Sequence, residues 1–213
     1  MTAPLRINYL ARRNAGFTAD EWIPVWRSHW ALAASLPESR TVRRYIQCEV
    51  LLDPCALPHH AVASSEYFSP EARAANRGAS GYHAIMGADE ARVFETVISE
   101  CSFIAEHHVL AGSGTGPFKV VRYLGAVDFE AWAPVALSLT DRLLGYAQNR
   151  AVDPERPEGW GLDVAGSEEF WFDSAEAAME FSRSRRLRDA TASSDLLVAH
   201  TVVTNEVILK DVR

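Results

Sequence analysis

The chain has 213 residues, of which 48% are apolar, and its formal net charge is −7. This length and composition suffice for a sizeable buried core, which excludes a disordered protein. The excess of carboxylates argues against a nucleic-acid binder, because phosphate binding needs a surplus of lysine and arginine. The sequence shows neither an apolar run long enough to cross a membrane nor a signal peptide. We therefore expect a cytoplasmic protein without membrane contact.

The first part of the chain alternates between strand-like and helix-like patterns. Thr18 and Glu21 form a capping-box pattern that predicts the start of a helix, and Pro24 falls within its second turn. A second, weaker helix is interrupted by Gly78 and Gly81. Alternation and β-branched residues predict four strands, at 5–10, 43–52, about 61–68, and 91–104.

The second part of the chain repeats this order. Asp128 caps a helix that contains Pro134, and Ser174 begins an alanine-rich helix that extends to about residue 189. We predict its strands at 118–124, 145–150, 163–172 and 196–209.

These similarities amount to an internal duplication. When residues 1–111 are laid over 117–213, residues 22–25 match 132–135 and residues 45–47 match 146–148. Two copies of one unit must bury matching faces. We expect a first repeat over 1–111, a flexible glycine-rich linker over 112–117 and a second repeat over 118–213.

The predicted fold class is α+β. The order β-α-β-β-α-β, found twice, is the ferredoxin-like arrangement of an antiparallel sheet with two helices on one face. The bare face of each sheet needs a cover, and the other copy is the obvious one. We therefore predict two repeats packed sheet to sheet as an intrachain dimeric α/β barrel, either as a monomeric pseudo-dimer or as a homodimer of it.

Cysteine and histidine usage gives no indication of a disulfide or a metal. Cys48, Cys55 and Cys101 are odd in number and lack metal-type spacing. The adjacent pairs His59-His60 and His107-His108 would chelate poorly, because neighbouring residues of a strand face opposite ways. We therefore expect no metal and no cofactor.

The arginine-rich run 183–188 is typical of a solvated helix face. The glycine-rich segment 112–117 lacks the lysine and the helix start of a phosphate-binding loop, so a linker explains it better.

Several segments resemble the EthD family of the dimeric α/β-barrel superfamily. The similar residues are the run 12–22 with Trp26 and His29, the strand 44–47, and the run 169–178 in the second repeat. The resemblance implies a tandem EthD protein. That superfamily includes cofactor-free monooxygenases of aromatic substrates, polyketide cyclases, isomerases, decarboxylases and dehydratases. The chain departs from a symmetric pattern at Leu139, which matches His29, so a site that depends on this histidine exists only in the first repeat.

His29 is the first candidate for chemistry. It lies in register with Trp22 and Trp26 on an apolar helical stripe, and histidine can act as an acid or a base near neutral pH. Its alternative role is a satisfied polar group in the core.

Glu95 and His200 are the second candidates, because the repeat alignment places them at equivalent positions on the last strands. A carboxylate and an imidazole that face one cavity would form a base and its orienting partner. Alternatively, each makes only local hydrogen bonds. Tyr45, beside Gln47, could donate to an oxyanion, although its recurrence as Tyr146 favours a packing role.

These residues predict a cofactor-independent enzyme that acts by acid/base chemistry on an aromatic or polyketide-like small molecule. His29 would be the acid or base, assisted by His200 or Glu95, with Tyr45 at an oxyanion. Trp22, Trp26 and Phe94 would form an apolar wall, and Gln47 would contribute to substrate binding. Two alternatives remain open: a cofactor-free monooxygenase of a phenol, and a non-catalytic ligand-binding or stress protein.

Overall fold

The structure, a computed structural model, describes residues 3–54, 59–77, 80–152 and 161–212. The first half contains strands β1 (Leu5–Ala11), β2 (Val42–Leu52), β3 (Ala61–Tyr67) and β4 (Ser102–Gly112). Its helices are α1 (Ala19–Ser35), α2 (Pro70–Arg77) and α3 (Ser80–Val93), and short 3-10 helices cover Pro37–Thr41 and Ile98–Glu100. The predicted capping box at the start of α1 is present, because Thr18 and Glu21 each accept the other's backbone N–H.

The second half contains strands β5 (Phe118–Ala126), β6 (Gly145–Ala151), β7 (Gly166–Phe172), β8 (Leu197–Asn205) and β9 (Val207–Asp211). Its helices are α4 (Phe129–Leu137), α5 (Ala175–Ser182) and α6 (Arg185–Ala192). The prediction of one helix from Ser174 to about 189 was wrong, because Ser184 accepts the N–H of Leu187 and caps a separate helix. None of the helices described is long and apolar enough to cross a membrane.

Eight strands close into an antiparallel barrel. Their order is β3-β1-β4-β6-β7-β5-β8-β2, and β2 pairs again with β3. Within the halves the order is β4-β1-β3-β2 and β8-β5-β7-β6. Strand β9 follows β8 along the same side of β2, so the predicted last strand at 196–209 is present as two segments. The architecture is α+β, and the described ranges contain six α-helices, which lie outside the barrel.

The two halves share hydrogen-bonded strand edges. Strand β4 pairs with β6, placing His107 opposite Asn149, and β2 pairs with β8, placing Val50 opposite Thr204. We predicted two repeats packed sheet to sheet as a barrel, without predicting which edges pair. The edges pair as well because an open edge would leave backbone N–H and C=O groups without partners.

The last strand of the first half lies later in the chain than predicted. Helix α3 continues to Val93, and β4 begins at Ser102, which pairs with Tyr9. The carboxylate of Glu90 accepts the N–H of Ile98 and holds the connection in a non-strand conformation. The β-branched residues within 91–104 therefore misled the prediction, and Glu95 lies exposed in a bend.

Buried residues form three groups. One lies between the helices and the sheet of the first half, around Trp22 and Trp26. A second occupies the same place in the second half, around Trp132 and Phe170. The third lies inside the barrel and includes Tyr123 and other residues of both halves. Because the third group belongs to both halves, neither half has a complete core alone.

Candidate functional site

The predicted apolar stripe of α1 faces the sheet. Its buried residues are Trp22, Trp26, His29 and Ala33. The rings of Trp22 and Trp26 stack with centroids 4.9 Å apart, and Phe94 meets Trp22 edge-on at 6.1 Å. These three aromatic residues are each at most 2% exposed. We predicted these residues as the apolar wall of a ligand site, and in the structure they fill the space between α1 and the sheet.

A network of hydroxyl groups holds Tyr45 in this interface. Its hydroxyl lies 3.1 Å from that of Tyr9, and it accepts a hydrogen bond of 3.3 Å from Gln47 Nε2. Trp26 Nε1 donates to Tyr9, while Trp30 stacks on the Tyr45 ring. Burial raises the pKa of both phenols. Tyr45 could therefore bind an oxyanion only if it gave up these partners.

His29 pairs with a carboxylate of α3. Its Nδ1 lies 2.8 Å from Asp89 Oδ2, and Arg92 donates to the other oxygen of Asp89. Burial favours a higher pKa for Asp89, but the hydrogen bonds from His29 and Arg92 outweigh it and lower the pKa. The pair has the geometry of an oriented acid or base, and it also links α1 to α3.

A second carboxylate–imidazole pair lies where the two halves meet. Asp53, which follows β2, has a fully buried side chain, and its Oδ2 accepts both the backbone N–H and Nδ1 of His59 at 2.8 Å. The ring of His59 meets that of His200 edge-on, with centroids 5.0 Å apart. The sequence analysis identified His200 but considered His59 only as half of a poor metal pair.

These residues lie at one mouth of the barrel. Strands β1 and β2 end there, while β3 and β8 begin there. Arg12 follows β1, and its positive charge acts on His59. We call Arg12, Asp53, His59 and His200 the mouth cluster. It combines three residues of the first half with one of the second.

Burial sets the protonation state of His59. It lowers the pKa of the imidazole, and the charge of Arg12 lowers it further, against the opposing effect of the hydrogen bond to Asp53. His59 is therefore neutral near pH 7. Because Nδ1 donates its proton to Asp53, the lone pair resides on Nε2, and this nitrogen can act as a base.

Glu95 is not the counterpart of His200. His200 lies opposite Tyr123 of β5. In the first half, the residue at the equivalent place beside β1 is Cys101, whose carbonyl accepts the N–H of Leu10. The predicted equivalence failed because the last strand begins later than expected. Glu95 nevertheless lies beside the mouth, since its backbone N–H donates to the carbonyl of Arg12.

Apolar residues continue from the mouth into the barrel. Leu162 and Val164 pack against the interior group that includes Phe103 and Tyr123. Phe103 and Tyr123 meet edge-on at 6.2 Å. The mouth thus combines a polar cluster with an apolar lining.

Charged residues fill the other part of the barrel interior. Arg6 pairs with Glu66 at 2.9 Å, and Lys119 lies 3.0 Å from Glu169 and 3.2 Å from Glu206. Burial alone would raise the pKa of Glu169, but Lys119 and Arg6 lower it to about 2. Lys119 and Glu169 are ionised and paired. Together with Arg6, Glu66 and Glu206 they account for polar residues that alternation alone would not place inside.

His107 lies in the same interior, and its Nδ1 donates a hydrogen bond of 2.8 Å to Asn149 Oδ1. Burial lowers the pKa of His107 to about 3, and the charge of Arg6 adds to this effect. His107 is therefore neutral. Its neighbour His108 is half-buried and reaches Glu106, so the two histidines do not converge.

The second half uses the position of Tyr45 differently. Tyr146 donates to the buried carboxylate of Glu168, which also accepts from Trp132 and Arg122. Gln148 donates to Tyr146, as Gln47 does to Tyr45. Every strong donor in this group has a partner, which identifies a packed polar core.

Free thiols and metal ligands complete the inventory of reactive groups. Cys48 and Cys101 are buried free thiols, and burial raises their pKa to about 12 and about 11. Cys55 lies outside the described residues. Across the described ranges, no three His, Cys, Asp or Glu side chains are grouped to hold a metal ion.

Comparisons with known proteins identify the fold. No protein-family model matches the chain, and no curated protein matches it. A "putative monooxygenase" from Fusobacterium nucleatum subsp. nucleatum has 8% identity and a TM-score of 0.57, over 98% of this chain and 94% of that one. A mutant chlorite dismutase from Candidatus Nitrospira defluvii, in complex with cyanide, has 10% identity and a TM-score of 0.56, over 97% and 91%.

A third structure, a "putative chlorite dismutase", has 9% identity and a TM-score of 0.54, over 96% of this chain and 95% of that one. At such identities the likeness concerns the fold alone. The chain therefore has the fold of the dimeric α/β-barrel proteins, with both halves of the barrel in one polypeptide.

Proposed function

We propose that the protein is a cofactor-independent enzyme that performs acid/base chemistry on an aromatic or polyketide-like small molecule, with the mouth cluster as its reacting centre. The observation that carries this proposal is the buried Asp53–His59 pair in contact with His200. An oriented neutral imidazole beside a second imidazole can both remove and return a proton. The substrate class is supported by the resemblance to EthD proteins.

Each residue of the cluster has a proposed role. Nε2 of His59 removes a proton from a carbon next to a carbonyl group, and Arg12 stabilises the resulting enolate. His200 then delivers a proton: to another carbon of the enolate in an isomerisation, to the alkoxide formed when the enolate attacks a second carbonyl in a cyclisation, or to the hydroxyl group that leaves as water in a dehydration. In a decarboxylation His59 removes no carbon-bound proton: CO2 leaves, Arg12 stabilises the resulting enolate, and His200 protonates it. Leu162 and Val164 pack against the flat face of the substrate.

His29 offers a competing site for the same chemistry. It too has an orienting carboxylate, Asp89, but Trp22 and Phe94 occupy the space around it. We assign His29 to the α1–α3 contact, together with the Tyr45 network. The experiment below separates the two histidines.

Proton exchange at carbon tests the proposal without knowledge of the product. We would incubate the protein in D2O with phenylpyruvate, aryl 1,3-diketones and linear polyketone mimics, and follow deuterium incorporation by NMR. The variants are His59→Gln and His29→Leu, and His60→Gln is the matched control because it alters the adjacent imidazole. We expect His59→Gln to lower the exchange rate by about 100-fold or more and the other two to retain it.

The other outcomes have defined meanings. Loss of exchange in His29→Leu but not in His59→Gln would move the reacting centre to α1. Absence of exchange with every probe would contradict the acid/base enzyme, and binding without turnover would identify a ligand-binding protein.

A second candidate is a cofactor-free monooxygenase of a phenolic substrate. It is favoured by the fold of the Fusobacterium protein, which is described as a monooxygenase. Here His59 would deprotonate the phenol, and oxygen would be consumed. Substrate-dependent oxygen uptake, abolished in His59→Gln, would support this reaction.

We further propose that residues 1–111 and 118–213 are two EthD-like repeats of ferredoxin-like topology, and that the protein is a cytoplasmic monomer. The equal strand order of the two halves and the closed barrel support this proposal. Light scattering at micromolar concentration tests it, because a larger mass would identify a homodimer.

A further inference from the structure

The outer faces of the two halves differ where α1 and α4 should correspond. Helix α1 runs to Ser35, and His29 in its second part contacts α3. Helix α4 ends at Leu137, so it is about half as long. The space beyond its end remains open as a groove of about 640 Å³ against α6. Leu139, which matches His29, lines this groove.

The groove has an apolar floor and a basic rim. Val135, Leu139 and Ala190 provide the floor, while Arg185 and Arg186 lie on the rim. The groove is shallow and open to solvent, so a ligand would lie across it with an apolar face on the floor and a polar group at the rim.

The rim arginines belong to a local cluster of positive charge on an otherwise acidic chain. Four arginines lie within residues 183–188, although the chain as a whole carries a net charge of −7. The first turn of α6 contains no acidic residue, so Arg185 and Arg186 sit at the positive end of the helix dipole. Cations at that end are unfavourable for the helix, and a bound anion would reverse the effect.

The two rim arginines have different local partners. Arg185 Nε donates to Asp189 Oδ2 at 3.1 Å, and both side chains are exposed. Arg186 makes no ion pair with any residue described in the structure. Its guanidinium can therefore donate two hydrogen bonds to the carboxylate of a ligand.

We propose that the α4–α6 groove binds a small amphipathic carboxylate, with its apolar body on Val135, Leu139 and Ala190 and its carboxylate on Arg186 and Arg185. The size of the groove favours a body of one or two rings. The site is separate from the mouth cluster, and the proposal does not rest on the proposed function.

Calorimetric titration with 2-naphthoate tests the proposal, with neutral 2-naphthamide as the ligand control. The variant R185Q/R186Q is compared with R183Q/R188Q, which removes the same charge from the same run but leaves the rim intact. We expect R185Q/R186Q to weaken naphthoate binding by about tenfold or more, a loss of about 1.4 kcal/mol, and R183Q/R188Q to change it by less than about twofold. Ala190→Phe, which fills the floor, should also abolish binding.

Three results would overturn the proposal: no binding of naphthoate, equal losses in the two double variants, or equal binding of the amide. Equal losses would instead identify a diffuse basic patch that attracts acidic partners. His59→Gln should bind naphthoate normally, so failure of this site and failure of the proposed function are distinguishable.

Discussion

The imidazole of His59, from the first half, lies 5.0 Å from that of His200, from the second half. This contact exists because β2 and β8 pair across the junction of the halves. The pseudo-symmetry of the barrel gives a second junction, where β4 pairs with β6. There residues 162–164 lie close to β4, and the backbone N–H of Leu162 donates to the carbonyl of Ser102. That junction presents apolar residues, so the barrel mouth has one polar side and one apolar side.

The lowered pKa of His59 predicts the pH dependence of catalysis. Because only the neutral imidazole can remove a proton, exchange activity should be constant near pH 7 and fall in acid, with an apparent pKa below the ordinary value of about 6.5. The hydrogen bond to Asp53 raises the pKa of His59, and Asp53→Asn weakens it. In this variant the fall in activity at acid pH should therefore occur at still lower pH, while the maximal rate decreases. Rate profiles from pH 4 to 9 measure this. A limb above pH 7 would contradict the assignment.

The buried charges of the barrel predict a large cost for a single neutral replacement. Glu169→Gln leaves Lys119 and Arg6 with less compensation in a dry interior, and we expect the free energy of unfolding to fall by about 3 kcal/mol. Arg142→Gln is the control, because Arg142 and Glu180 form an exposed pair that should contribute less than about 1 kcal/mol. Urea denaturation compares them. Similar small losses in both variants would show that the interior pair is well solvated.

His107 predicts a specific acid sensitivity. Its pKa is about 3 in the folded protein and about 6.5 when unfolded, so its contribution to stability is complete above pH 6.5 and is lost as the pH falls toward 3. His107→Leu removes this pH-dependent contribution to the free energy of unfolding. Between pH 6 and 4, the variant should lose stability less steeply than the parent, by up to about 1.4 kcal/mol per pH unit. Parallel pH profiles of unfolding would show that His107 does not bury its neutral form.

The connection between the halves depends on a glycine conformation. Gly112 has φ +67°, and a Cβ there would lie 2.0 Å from the carbonyl oxygen of Leu144. Gly112→Ala should therefore destabilise the protein by more than about 1 kcal/mol. Gly87→Ala, within α3 and with open space around it, should stabilise by about 0.5–1 kcal/mol. Thermal unfolding of the two alanine variants tests the contrast, and shifts of equal sign would refute it.

Local sequence signals predicted much of the fold. The capping box at Thr18 and the strands at 5–10 and 118–124 appear as expected, because they depend on neighbouring residues. The strand predicted at 91–104 was misplaced, because its start is set by the long-range register of Ser102 with Tyr9 and by the hydrogen bond from Ile98 to the carboxylate of Glu90, neither of which alternation reveals. β-Branched residues occur both before and after Ser102, where β4 begins, so they do not mark the start of the strand.

The mouth cluster could not be predicted in the same way. Its residues come from three separate parts of the chain, and only barrel closure brings His200 to His59. The one local signal was Asp53, which lies six residues before His59 in the sequence and hydrogen-bonds to it. We weighed the adjacent histidines His59 and His60 only as a metal pair and rejected that interpretation, and no local pattern linked His59 to His200.

Joining the two halves covalently has an evolutionary consequence. In a barrel assembled from two identical chains, each substitution occurs twice, once in each symmetry-related position. A single polypeptide is free of this constraint, so one half can have His29 where the other half has Leu139. In the same way, an imidazole pair can occupy one junction while the other junction is apolar. A single polypeptide thus permits the two halves to differ: aromatic packing closes the outer face of one half, while the outer face of the other half keeps a groove, within the same closed sheet.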